Sequence, residues 1–395
     1  MMKATVLAGI AATAAATTYI HETFDDSYTE RWTVPSKWKE ASELGSWTHT
    51  AGEVSGNSDN KGIQTTTDAR HHGIIAPLDT PFVSTDKTLV LQYSVKNEQS
   101  LGCGGGYIKL LPSDGVDVDS FGGDTPYAIM FGPDKCGYNS RTHVIFTYNG
   151  ENLLIEREPR MESGELTNVY TLIVNPDNTY EVRINNEEVQ SGSLYDDWKF
   201  LQPREIKDPS KSKPEDWVDS PKMDDPEDVK PEGWDDIPET IPEAGAEQPE
   251  DWDDEEDGEW EPPMVPNPEY KGEWTPRQID NPDYKGEWEH PLIANPDFVD
   301  DKSVYDVCAD GCGFVGFELW QVEAGTIFDN ILVTDSVEEA EQAFEALSSE
   351  LEAEKKAKEA KDEADRIAAE EAAAAADDED ENSDEWEEEE DKEEL

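Results

Sequence analysis

Short apolar runs punctuate the first half of the chain. Leu89-Val90-Leu91-Gln92-Tyr93-Ser94-Val95, Val144-Ile145-Phe146-Thr147-Tyr148, Tyr170-Thr171-Leu172-Ile173-Val174 and Tyr180-Glu181-Val182-Arg183-Ile184 are rich in β-branched and aromatic residues. Asn, Asp, Gly and Pro bound them, the punctuation expected of strands. Asn175-Pro176-Asp177-Asn178-Thr179 reads as a hairpin connection. No helical segment alternates with these strands, so residues 17–202 predict an antiparallel sandwich. The same pattern returns over 299–335, with Phe314–Val322 and Ile327–Val333 as strands. The two parts are expected to close into one sandwich around an insertion. From 336 to 376 the apolar residues change period. Ala340, Phe344, Leu347 and Leu351 stand at helical spacing in an Ala/Glu/Lys-rich stretch, which predicts a long helix. Residues 377–395 hold 14 acids and one Lys and predict a disordered tail.

The insertion, 203–298, has a different pattern. It contains 17 of the 25 prolines and six of the 12 tryptophans. Lys213-Pro214-Glu215-Asp216-Trp217 recurs as Lys230-Pro231-Glu232-Gly233-Trp234 and Gln248-Pro249-Glu250-Asp251-Trp252, with Trp spacings of 17 and 18. A second repeat follows: Gly-Glu-Trp at 258, 272 and 286, each leading to Asn-Pro-Glu/Asp-Tyr/Phe, with a spacing of 14. Proline at this density excludes a helix or a central sheet, and there is little aliphatic material for a core. Three copies of one repeat followed by three of another predict an extended hairpin in which each copy faces one of the other kind.

Charge narrows the function. The chain has 395 residues, 31 Lys+Arg and 94 Asp+Glu, for a net charge of −63. Nucleic acid would be repelled and anionic lipid disfavoured, whereas cations and basic partners would be attracted. Lys3 followed by the apolar Ala4–Ala16 has the form of a secretory signal peptide. No later apolar run is long enough to predict a membrane anchor. Lys392-Glu393-Glu394-Leu395 resembles the tetrapeptide that returns soluble proteins to the endoplasmic reticulum. Both signals predict residence in the endoplasmic reticulum lumen. Four cysteines suit an oxidising compartment. They predict two disulfides, within Cys103/Cys136 and within Cys308/Cys312. Neither pair has the two-residue spacing of a zinc knuckle, and no Cys-x-x-Cys suggests redox catalysis.

These motifs resemble the calreticulin and calnexin family of lectin chaperones. The two repeats are similar to that family's proline-rich arm. Cys103-Gly104-Gly105-Gly106-Tyr107-Ile108-Lys109-Leu110, Ile129-Met130-Phe131-Gly132-Pro133-Asp134-Lys135-Cys136 and Gly325-Thr326-Ile327-Phe328-Asp329-Asn330 are similar to its lectin-domain signatures. The missing membrane span and the soluble retention signal favour the calreticulin branch. The resemblance covers about Tyr19 to Val333 and implies a concanavalin-like jelly roll. It implies binding of the terminal glucose of monoglucosylated high-mannose N-glycans on folding glycoproteins, with unfolded polypeptides as further clients. The sugar-holding residues it implies are Tyr107, Lys109, Tyr127, Asp134 and Glu318. Carboxylates and a Lys fix the directions of hydroxyls, and Tyr stacks on pyranose C–H faces. Glu318 departs from the family's usual Asp by one methylene, which shifts its oxygens by roughly 1 Å. Trp320 follows on the same rim. The resemblance also implies one structural Ca²⁺, held by backbone carbonyls of Thr23, Asp59 and Lys61 and the Asp329 carboxylate, an all-oxygen set that suits this ion. At the arm tip, Glu255, Asp257, Glu259 and Trp260 are implied to recruit a thiol oxidoreductase of the protein-disulfide-isomerase family. The Cys308/Cys312 pair has no counterpart in the family pattern.

Two readings of a non-enzymatic monomer follow: a calcium-dependent lectin chaperone, and a luminal calcium buffer with a vestigial sugar site. A glycosidase would need two carboxylates set about one cleft, and the sequence offers acid pairs mainly in charge runs.

Overall fold

The structure is a computed structural model that describes residues 16–249, 252 and 258–393, of which 373–393 are described as backbone. The predicted leader up to residue 15, the tip residues Glu255 and Asp257, and the last two residues of the terminal tetrapeptide lie outside the described residues. The chain divides into two units, one formed by Pro203–Phe298 and the other by the segments on either side.

The larger unit is an antiparallel β-sandwich. One sheet runs in the order Glu187–Ser193, Thr179–Ile184, Asn168–Val174, Leu89–Asn97, Thr326–Thr334, Gly62–Thr65, Trp47–Thr50, with Thr18–Glu22 also paired to Thr326–Thr334. The other runs Glu151–Leu154, Asn139–Tyr148, Ile129–Cys136, Cys103–Gly105, Cys312–Gln321, Arg70–Phe82. Ile108–Pro112 is inserted between Ile129–Cys136 and Cys312–Gln321. The central strands of both sheets come from the two chain segments that flank the insertion, so neither segment can bury its apolar face alone. The predicted hairpin closes through Asn175 N–H to the Thr179 carbonyl at 2.9 Å, with Asn178 in the left-handed region at φ 64°.

Period-two alternation sends one side chain in two to a shared core. Tyr93 of the first sheet meets Phe131 and Phe317 of the second at 6.2 and 6.0 Å between ring centroids, and Phe317 meets Phe328 at 4.3 Å. The buried Tyr93 hydroxyl donates to the Gly106 carbonyl at 2.7 Å. This bond fixes the backbone immediately before Tyr107 to the opposite sheet.

The helix after the sandwich spans Val337–Glu393, 57 residues. It therefore continues through 377–393, where the acid-rich sequence predicts a disordered tail. Glu is a good helix former and the stretch contains neither Pro nor Gly, so once the Ala-rich turns before it are helical each further residue extends an existing helix rather than nucleating one. Ala340 near its start packs into a buried cluster with Val90, Ile173 and Leu332.

The smaller unit is a hairpin of three short ladders: Glu205–Lys207 with Leu292–Ala294, Lys222–Asp224 with Gln278–Asp280, and Thr240–Pro242 with Met264–Pro266. After each ladder along the outgoing chain, Trp217, Trp234 and Trp252 donate their indole N–H to the carbonyls of Gly286, Gly272 and Gly258 at 2.9, 2.9 and 2.8 Å. Each tryptophan of the first repeat thus bonds the glycine that opens a second repeat. Those glycines all have φ between 81° and 86°, a region that L side chains rarely enter.

Candidate functional site

The outer face of the second sheet collects the sequence-predicted sugar residues. On Cys312–Gln321, Val315, Phe317 and Leu319 enter the core, so Glu318 and Trp320 point away from it. On Ile108–Pro112, Ile108 and Leu110 are core, and Lys109 takes the outer face. The ladders align Lys109 with Gly316 on one side and Met130 on the other, and Asp134 with Gly105. Register alone therefore brings residues more than 200 positions apart into one patch.

Lys109 Nζ donates to Glu318 Oε2 at 2.7 Å, and it lies 5.0 Å from the Tyr127 ring centroid. The Lys109 side chain is 3% exposed and that of Glu318 12%. Each charge thus depends on the other in a site with little water. Burial, reinforced by Glu318, raises the Tyr127 phenol above its ordinary value. Tyr107 is also raised, by burial first and then by Glu318, Asp134 and Tyr127. Its position is set by a close approach: a Cβ on Gly105 would lie 2.5 Å from the Tyr107 ring.

Asp134 is embedded in a row of ionisable side chains, Arg141, His143 and Glu158, that no sequence motif signals. Arg141 Nε is 3.4 Å and His143 Nε2 3.5 Å from Asp134 Oδ2, and the same two residues reach Glu158 at 3.2 Å each. Burial pushes the Asp134 carboxyl up, but His143 and Arg141 outweigh it and hold it below the ordinary carboxylate range. His143 also sets its ring edge to Tyr107 at 5.9 Å. The available signal was alternation: Arg141 and His143 share a face of Asn139–Tyr148, and Arg141 pairs with Asp134. The Cys103–Cys136 disulfide forms two rows further along the same ladder. Cys308–Cys312 forms as well. Trp320, 42% exposed, packs on His71 at 4.7 Å, and His71 meets Trp38 at 5.2 Å.

The predicted calcium residues lie elsewhere, around the first sheet. Among the described residues no three His, Cys, Asp or Glu side chains are grouped as a metal cluster. That result is compatible with a set made chiefly of carbonyls. Asp329 Oδ1 is buried without a hydrogen-bond partner, while Oδ2 accepts from Asn330 at 2.9 Å. Burial pushes this carboxyl up to about 7; Glu22 and Glu350 push the same way, against hydrogen bonds from Asn330. An orphaned, desolvated carboxylate oxygen is what a cation would relieve, so the residues present fit one. Thr23 follows Glu22, which pairs with Ile331. Lys61 precedes Gly62, where a Cβ would lie 3.1 Å from Asp329 Cβ. Asp59 lies in the loop that leads to Lys61. At the arm tip, Glu259 is exposed and Trp260 half-buried.

The calreticulin family model matches residues 20–258 and 256–333. The chain belongs to the calreticulin family. It is 56% identical to the calreticulin of Chlamydomonas reinhardtii over 344 residues, 86% of this chain and 81% of that protein. It is 52% identical to the calreticulin of Caenorhabditis elegans over 363 residues, 90% of each. Among solved structures it is similar to the T. cruzi calreticulin globular domain, with a TM-score of 0.62 and 31% identity, covering 88% of this chain and 99% of that one. The calreticulin sandwich is therefore the fold of the larger unit. No helix among the described residues is long and apolar enough to cross a membrane.

Proposed function

We propose that this calreticulin-family chain is a calcium-binding lectin chaperone of the endoplasmic reticulum lumen that takes the terminal glucose of monoglucosylated high-mannose N-glycans. The observation that carries this reading is the convergence of Tyr107, Lys109, Tyr127, Asp134 and Glu318 on one sheet face. A pyranose presents hydroxyls that both donate and accept, and this face offers both. Tyr107 and Tyr127 stay protonated and can donate. Asp134, held ionised, accepts. Lys109 and Glu318 satisfy each other and still have a donor and lone pairs to spare.

Carbonyls of Thr23, Asp59 and Lys61 with the Asp329 carboxylate would hold one Ca²⁺. Bound there, the ion would supply the positive charge that lets Asp329 stay buried as a carboxylate. The arm tip, through Glu255, Asp257, Glu259 and Trp260, would recruit a protein-disulfide-isomerase-family oxidoreductase; the exposed Glu259 and part-exposed Trp260 support an acidic, aromatic contact for a basic pocket. A second reading, a low-affinity calcium buffer, is favoured by the exposed helix turns over 359–372 and by the 14 acids of the sequence from 377 to 395, and both roles can coexist.

The deciding experiment is binding of the purified chain to a Glc₁Man₉ oligosaccharide and to its unglucosylated Man₉ counterpart, with and without Ca²⁺. Glucose-dependent binding that falls in Tyr107→Phe and Asp134→Ala is expected. A chain that ignores both glycans while taking up many calcium ions leaves only the buffer reading.

A further inference from the structure

The loop Ser55–Lys61 carries two of the carbonyls assigned above to calcium, and it is gripped by the C-terminal helix. A Cβ on Gly56 would lie 2.0 Å from the Glu350 carbonyl oxygen and 3.0 Å from the Glu354 amide nitrogen. Helix backbone and loop backbone therefore lie directly on one another, with room for no side chain between them. One carboxylate then bridges the loop: Asn57 Nδ2 donates to Glu350 Oε1 at 2.9 Å and Asn60 Nδ2 to Glu350 Oε2 at 2.8 Å. One turn further, the buried Glu354 accepts from Thr167 N–H at 3.2 Å and pairs with Lys96 Nζ at 3.3 Å. Lys96 also donates to the carbonyl of Val54, at the loop's entrance. Leu347, Leu351, Asp329 and Asn330 line a cavity of about 70 Å³ beneath this contact.

We infer that docking of the helix around Glu350 and Glu354 is coupled to cation occupancy at Asp329, with Gly56, Asn57 and Asn60 as the joint between them. The inference rests on the calcium reading above. Its physical basis is the sign of the local charge. Without a cation, any negative charge on the buried Asp329 carboxyl is opposed by Glu22 and Glu350, and that repulsion works against holding Glu350 in place. A cation at Asp329 reverses that term and orders the same loop that Glu350 binds. By reciprocity, a helix that stays docked must tighten the cation site by the same factor.

Hydrogen exchange of the full-length chain, with and without one equivalent of Ca²⁺, tests this. Calcium is expected to slow exchange over residues 345–358 as well as over 55–62, and Asp329→Asn, which keeps the acidic tail, is expected to abolish both effects. Gly56→Ala wedges the helix off the loop and is expected to weaken the tight calcium site by about five-fold or more. Glu350→Gln, which sets an amide N–H against an asparagine N–H, serves as a second variant that leaves the loop backbone untouched and is expected to weaken it likewise. If both variants keep wild-type affinity, or if calcium protects the helix equally in Asp329→Asn, the coupling is overturned and the calcium site stands. If tight binding itself survives Asp329→Asn, the calcium reading falls, and the coupling with it.

Discussion

At the scale of single residues, the site is built on groups that cannot be removed one at a time. Lys109 and Glu318 are both buried and bonded to each other. Lys109→Met would leave a carboxylate without its counter-charge, at a cost of about 3–5 kcal/mol. Denaturant unfolding should show that loss, and adding Glu318→Leu to Lys109→Met should recover much of it. His72 makes a different point. It is fully buried beneath the same sheet, and burial lowers its pKa to about 4 from the ordinary 6.5. A base with a depressed folded value is neutral when folded, while the unfolded chain takes up a proton near pH 6.5. Its contribution to stability is therefore full above about pH 6.5 and declines as pH falls towards 4, a loss of about 3 kcal/mol. His72→Phe is expected to flatten the stability profile between pH 6.5 and 4; an unchanged slope would assign the acid sensitivity to other groups. Alternation made Glu318, Trp320 and Lys109 legible as outward-facing residues. Their proposed use for sugar rests on motif likeness, because no spacing rule connects residue 109 to residue 318. His71, Trp38, Arg141 and His143 went unread for the same reason: their partners are distant in sequence and only the register brings them together.

At the scale of elements, strands were legible where β-branched and aromatic residues run together, as in Leu89–Asn97 and Asn168–Val174. Cys103–Gly105 has almost no side chain to signal a strand and is held by its ladder and disulfide instead. Arg70–Phe82 was hidden by two histidines, a glycine and two prolines, which a long strand tolerates because it lies at the end of its sheet. The helix runs on through the acid-rich 377–393 because helix propensity, rather than charge density, decides where it stops. In the arm, the tryptophan-to-glycine bond is a contact repeated in every rung. Trp234→Phe keeps the ring and loses the N–H, so it should cost about 1 kcal/mol. Amide exchange should rise around Lys222–Asp224 and Gln278–Asp280 while the sandwich is unaffected; exchange unchanged in that rung would show that ring packing alone holds it.

At the scale of the whole molecule, the net charge of −63 is not one property. The arm carries 31 acids and nine bases, a net of −22, and its tip is the proposed docking point for a basic partner. Recruitment of the oxidoreductase should weaken as ionic strength rises, because exposed charges are screened within about 10 Å at 0.1 M salt. Trp260→Ala should weaken it at every salt concentration. Titration calorimetry against the oxidoreductase separates the two effects, and recruitment indifferent to both would remove the tip from the interface. The domain plan was legible from composition because proline and tryptophan mark the arm so plainly. The proposed cation cradle was not, since backbone carbonyls leave no trace in residue identity.

The arm's ladders begin at residues 205, 222 and 240 on the way out and at 264, 278 and 292 on the way back. A rung is thus a unit of 17 or 18 residues plus 14, complete with its own ladder and its own tryptophan-to-glycine bond. Each rung closes on itself and borrows nothing from the next to satisfy its indole. The hairpin can therefore lose or gain a whole rung without leaving a broken bond at either end. Its length is a quantity that duplication or deletion can change in steps, while the sandwich, with the proposed sugar face and cation cradle, keeps its sequence.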